Sequence, residues 1–196
     1  MSTSFLDRLL ERTADWHTRL GQNMLSLNIT GPNVTIEDYK KYLSALLGFV
    51  TGFEQFVYPG LHPFVPDLER RKKTQIIKDD LEKLGQNLDE IEQMPESYFK
   101  ALFTDPFAAL GALYVLESLT LGGELIQKHL QDTVKKPLVD KLKYFAAENK
   151  EAMWQSFLKN FISIAENTDK QENIIDGALR TLRLLDQAMT EESVKV

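Results

Sequence analysis

Apolar residues recur along almost the whole chain at the three- and four-residue spacing of helices that bury one face. Ser4-Phe-Leu-Asp7 reads as a capping box. Behind it Phe5, Leu9, Leu10, Thr13, Trp16, His17 and Leu20 share one side of a first helix, which ends at Gly21 or at Gly31-Pro32. Thr35-Ile-Glu-Asp38 caps a longer helix with Tyr39, Leu43, Leu46, Leu47, Val50, Phe53 and Val57 inward, stopped by Pro59-Gly60. Pro66-Asp67 opens a charged helix with Leu68, Ile77, Leu81 and Leu84 inward, ending at Gly85. Asp105-Pro106 places a cap before a proline at the first helical position. The pattern predicts one unbroken helix from there to about Leu130, roughly 25 residues or about 37 Å long. Three more helices are expected over Val134 to Asn149, Glu151 to Asn167 and Asp169 to Met189. No useful stretch alternates with period two, and no repeat or linker interrupts the pattern. The expectation is a single all-α domain over 1–196, a multi-helical bundle.

Composition agrees with that and narrows the partners. The 196 residues are 43% apolar and 27% charged, ordinary for a domain with a sizeable core. Acidic side chains outnumber basic ones 29 to 23, a net charge of −6, which disfavours a nucleic-acid partner because such binding rests on neutralised phosphates. The absence of cysteine removes disulfides, zinc–thiolate sites, iron–sulfur clusters and thiol nucleophiles together, and is compatible with a reducing cytosol. The start of the chain lacks the basic-then-apolar order of a signal peptide. The apolar stretch from Pro106 to Leu116 is broken by Glu117 before it could span a bilayer. A cytoplasmic protein without a membrane partner is expected.

Standard catalytic signatures are missing: no GxSxG, HExxH, glycine-rich phosphate loop or CxxC. The di-iron Glu-x-x-His pattern also fails, since Ala14, Pro59 and Ile126 stand three residues before His17, His62 and His129. Two features remain. The segment after Pro106 carries Gly111, Gly122 and Gly123 in an otherwise strong helix, each costing about 1 kcal/mol relative to alanine. Its stripe Ala108, Gly111, Val115, Ser118, Gly122 lets backbone approach closely either to another helix, the commoner case, or to a flat ligand, and the adjacent glycines permit a kink. The second feature is His17, on the inward face of the first helix. It is either a hydrogen-bonded core histidine or an imidazole placed to ligate iron. His62 and His129 are expected at the surface without a role. Arg70-Arg-Lys-Lys73 and the acidic pairs Asp79-Asp80 and Glu191-Glu192 read as solvated surface charge.

Thr13-Ala-Asp-Trp-His17 resembles the Thr-x-x-x-His element of heme oxygenases, and Ala109-Leu-Gly-Ala-Leu-Tyr-Val-Leu-Glu-Ser-Leu-Thr-Leu-Gly-Gly123 resembles the distal-helix signature of their bacterial branch. Tyr39 to Leu47, Arg70 to Gly85 and Trp154-x-x-Phe157 match in order, so the similarity runs from about Phe5 to Met189. The resemblance implies a heme-oxygenase-like bundle holding heme, at once substrate and cofactor, between a proximal and a distal helix. It implies oxidative cleavage to biliverdin, carbon monoxide and ferrous iron, with dioxygen and electrons from a ferredoxin, flavodoxin or reductase. The bilin product could supply a photoreceptor. By carry-over His17 ligates the iron, Ser118, Gly122 and Gly123 line the distal side, and Thr13 and Tyr114 contact heme. The lysines that animal relatives place before the histidine fall here on Leu10 and Ala14, so Arg8, Arg12, Arg180 and Arg183 are the substitutes expected to meet the propionates.

Three positions depart from the family. Ser118 stands where glycine is usual, Leu119 where animal relatives have aspartate, and Gly21 where a carboxylate commonly follows the histidine by four residues. These departures leave a second reading open, a heme-binding or heme-sensing relative without turnover. A third, a relative of the same architecture acting on a thiamin-like or quinone precursor, is disfavoured because the thiaminase-type members need a cysteine.

Overall fold

The computed structural model describes residues 4–146 and 150–193, and among them there is no strand. In chain order the helices are α1 (Phe5–Gln22), α2 (Met24–Thr30), α3 (Ile36–Phe56), α4 (Tyr58–Leu61), α5 (Thr74–Lys83), α6 (Glu96–Leu102), α7 (Pro106–Ser118), α8 (Gly123–Thr133), α9 (Lys136–Val139), α10 (Lys150–Glu166) and α11 (Gln171–Ser193). Tight 3-10 turns occupy Leu68–Arg71 and Leu88–Glu90. The two expected capping boxes are formed. The Asp7 amide donates to Ser4 Oγ at 3.2 Å and the Ser4 amide to Asp7 Oδ2 at 3.3 Å; Thr35 and Asp38 do the same at 3.1 and 2.9 Å. The Asp105 carboxylate caps α7 by accepting from the Phe107 amide at 2.9 Å.

α11 is the axis of the bundle, packing along α7 and against α3, α1 and α2. Its approach to α7 is unusually close. A methyl group at Gly111 would overlap the Ile174 carbonyl, and one at Gly177 the Ala108 carbonyl. Of the two partners the sequence left open for the small stripe, Ala108 and Gly111 meet the first, a helix–helix contact. Around this crossing Phe49, Phe53, Phe99, Phe157 and Phe161 are fully buried.

Three expected helices are revised. The run from Pro106 to Leu130 is two helices, parted at Leu119–Gly122 by short i to i+3 bonds: Leu121 N to Ser118 O and Gly123 N to Thr120 O, each 3.1 Å. Hydroxyls help end α7, because Ser118 Oγ donates to Val115 O at 2.7 Å and Thr120 Oγ1 to Glu117 O at 2.9 Å, competing for carbonyls the helix would use. Residues 106–133 are long and apolar enough in composition to cross a membrane, yet they form two helices and α7 is core wall.

The Pro66–Gly85 helix is a 3-10 turn followed by α5. The Glu54 carboxylate of α3 accepts from the amides of Lys73, at 2.5 Å, and Thr74, at 3.1 Å, and so starts α5 late. Gly85, at φ 73°, supplies the left-handed residue that ends it. Of Val134–Asn149 only α9 is helical among the described residues; residues 147–149 lie outside them. The following loop is held by Asp80, which is buried and not at the surface as expected. Its carboxylate accepts from Tyr39 Oη at 2.8 Å and from the amides of Lys143 and Tyr144 at 2.8 and 2.9 Å, with the Lys83 ammonium at 3.3 Å.

Candidate functional site

α1 has two apolar faces, and only one is covered. Phe5, Leu9, Thr13 and Leu20 are buried in the core. About a quarter-turn away, Leu10, Ala14, His17 and Gly21 follow helical spacing along a second stripe. Leu10 is 47% exposed and Met24, at the start of α2, is 64% exposed, while Ala14 and Gly21 are also open. His17 is half-buried in this stripe. Of the three histidines it is the one whose ring has no hydrogen-bonding or ion-pair partner among the described residues. His62 Nε2 lies 3.8 Å from Glu69, and His129 Nδ1 is 3.1 Å from the Thr30 carbonyl, to which it donates. Burial lowers the His17 pKa from its ordinary 6.5, so the ring is neutral at pH 7 with a lone pair free.

The second stripe is the end of α7 with α8. Leu121 and Leu125 are 41% and 52% exposed, Gly122 is exposed and Ser118 half-buried. Nothing lies within 4 Å of where a Gly122 side chain would begin. Gly123 differs: a methyl there would stand 2.7 Å from Lys150 Nζ and 2.9 Å from the Phe145 ring, so its missing side chain is filled by packing. Ser118 directs its proton at Val115 O, leaving its oxygen only as an acceptor. α1 and the α7–α8 pair are bridged by α10 and α11, and α2 runs beside α8 through the His129 contact and a 2.6 Å bond from Thr133 Oγ1 to Val34 O.

The other expected contacts are placed elsewhere. Thr13 is buried and donates to Leu9 O at 2.7 Å. Tyr114 is buried, stacked on Phe161 at 5.0 Å and tilted on Trp154 at 5.5 Å, and burial raises its pKa. Arg8 and Arg12 stand roughly 140–180° around α1 from His17, bonded to Gln171 and, at 3.1 Å, to Glu172 of α11. Arg180 holds Asp176 and the Leu102 carbonyl. Arg8 and Arg12 therefore face away from His17, because α11 offers them partners on the opposite side of α1, and Arg180 is engaged within α11 and with α6. Arg183 is exposed, its guanidinium 5.2 Å over the ring of Trp16, the neighbour of His17.

A buried charge network beside Ser118 was not expected. Glu117 accepts from Arg71 Nη1 and Lys73 Nζ, both at 2.7 Å. Arg71 is only 1% exposed and also grips Asp67 through two bonds of 3.0 and 2.7 Å. The run Arg70 to Lys73 is thus split, with Arg70 and Lys72 in solvent, Arg71 buried and Lys73 half-buried. The one signal in the sequence was a lone acid inside an apolar helix. Lys150, packed at Gly123, has its ammonium pulled down to about 8 by burial and then by Lys73, against the opposing pull of Glu124.

A family model described as heme oxygenase matches residues 3–191. No curated relative matches in sequence. Among solved structures, the NO- and CO-bound heme oxygenase of Neisseria meningitidis is 20% identical with a TM-score of 0.73, covering 97% of this chain and 92% of that one. The heme oxygenase of Leptospira interrogans is 14% identical with a TM-score of 0.76, covering 96% and 100%. A TenA homologue from Pyrococcus furiosus is 15% identical with a TM-score of 0.66, covering 96% and 99%. At these identities the likeness is one of fold.

Proposed function

We propose that this chain, which belongs to the heme oxygenase family, takes heme as its substrate and cleaves it to biliverdin, carbon monoxide and ferrous iron, using dioxygen and an external electron donor. One observation carries the reading: a histidine without a polar partner among the described residues, kept neutral by burial, sits in a stripe of exposed apolar residues. A large flat apolar ligand with a metal at its centre fits that combination, since the stripe covers the ring while the imidazole meets the iron. In this reading the α1 stripe and the Ser118–Leu125 stripe are the two walls of one cleft.

Heme, when bound, supplies the iron at which dioxygen is activated. The chain supplies position. His17 would offer one ring nitrogen to the iron, and Leu10, Ala14, Gly21 and Met24 would pack against the macrocycle beside it. Gly122 would leave room for a small ligand, and Leu121 and Leu125 would exclude water. Ser118 Oγ, its proton held by Val115 O, can accept a hydrogen bond from an ordered water and so fix it. Leu119 supplies no proton, so solvent must do so. A ferredoxin, flavodoxin or reductase would dock at the open edge.

Hemin added to the purified chain is expected to give a one-to-one complex with a histidine-ligated spectrum, and His17→Ala to abolish it; an unchanged spectrum in the variant would remove His17 as ligand. Ascorbate or a reductase system in air should then yield a bilin. The second reading, a heme binder without turnover, is favoured by Gly21, a glycine in open space four residues after His17 where the family commonly has a carboxylate. Stable oxy or ferric heme in the same assay would select it.

A further inference from the structure

Glu117 is the residue just before Ser118, and both its halves are engaged. Its carbonyl accepts from Thr120 Oγ1 at 2.9 Å and from the Thr120 amide at 3.4 Å, within the break that separates α7 from α8. Its carboxylate is clamped by Arg71 and Lys73 at 2.7 Å each. Arg71 reaches three further groups: Asp67, and on α10 the Met153 carbonyl at 3.3 Å and the ring of Phe157 at 5.3 Å. Lys73 is tied in turn to α3, since Glu54 accepts from its amide.

Such a network is a poor way to gain stability. Taking charges out of water costs about as much as their attraction returns, and apolar residues of similar volume often serve as well or better. What the network does supply is a fixed point. Within the break Gly122 has nothing within 4 Å of where its side chain would begin, while Leu119 packs on the core and Gly123 against Phe145 and Lys150. On the α7 side Glu117 is the last residue tied by its charge to other elements, and it adjoins Ser118 directly.

On the premise of the heme reading, we propose that Glu117 is a positioning residue for the distal wall: held by Arg71 and Lys73, it sets where the helix breaks and so how Ser118 and Gly122 stand over the ligand. Glu117 touches no substrate in this arrangement and acts through its neighbour.

The test uses the full chain loaded with hemin and titrated with azide, a small ligand that reports on the free side of the iron. Glu117→Gln and Lys73→Met are expected to change azide affinity by about tenfold while hemin affinity stays within about threefold. They should also alter the ratio of biliverdin isomers. Phe99→Leu, a cavity variant in the buried Phe49–Phe99 contact, controls for simple destabilisation and should leave azide affinity unchanged. Azide affinity and isomer ratio like wild type in both network variants would overturn the proposal. If Glu117→Gln does not fold, Lys73→Met carries the test, because Arg71 still holds the carboxylate. Absence of a His17-dependent spectrum in the wild type would instead overturn the heme reading, before any variant is compared.

Discussion

The ring of His17 has no polar partner among the described residues, and its burial has a consequence for acid stability. The His17 pKa is lowered in the folded chain, so below its unfolded value of 6.5 the unfolded state binds protons more readily than the native one. Stability should be level above about pH 6.5 and fall as pH drops toward the folded value. A midpoint-temperature series from pH 7.5 to 5 should show this slope, and His17→Leu should flatten it; an equal slope in the variant would place the acid-sensitive group elsewhere. Ser118 makes the opposite kind of case. Its hydroxyl takes space over the distal side while its proton is committed to Val115 O. Ser118→Gly should slow bilin formation by removing the acceptor oxygen, and a faster variant would show that the hydroxyl only takes up space. The histidine was legible in the sequence because its place on a helix face is a local matter. The direction of the serine proton was not, because it depends on where α7 stops.

Among the helices, the glycines separate packing from opening. Gly111 and Gly177 let α7 and α11 cross with backbones in contact, whereas Gly122 faces empty space. Gly111→Ala should lower stability by about 3 kcal/mol, since neither backbone can give way. Gly122→Ala should leave the melting temperature nearly unchanged and yet weaken hemin binding. Urea unfolding and hemin titration of both variants check the pair; a destabilised Gly122→Ala that binds hemin normally would reverse the assignment. Gly111 and Gly122 look alike in a helical pattern, which explains why the stripe pointed to two partners at once. The start of α7 was plain from Asp105-Pro106, a local cap, but its end at Ser118 arises from hydroxyls bonding back to carbonyls and from the anchored Glu117. Periodicity runs through such a break, because Ser118, Gly122, Ile126 and Leu130 keep the spacing of one long helix.

At the scale of the molecule, buried carboxylates hold the walls in place. Asp80 ties α3, α5 and the loop carrying Phe145 through hydrogen bonds to Tyr39, Lys143 and Tyr144. Asp80→Asn should cost about 3 kcal/mol, because an amide cannot accept all of these bonds and leaves donors buried unpaired. Chemical denaturation measures it, and a change under about 1 kcal/mol would show that the loop is held by its aromatic residues instead. By itself the sequence determined the helical class, the caps, the apolar faces and the family, since each depends on neighbours within a turn or on residue identities in order. Only the tertiary structure decided that Arg71, Asp80 and Glu117 leave the solvent, that Arg8 and Arg12 turn from His17, and that one glycine packs while another stays open. Burial and partnership are set by residues far apart in the chain, and no local spacing encodes which of them will meet.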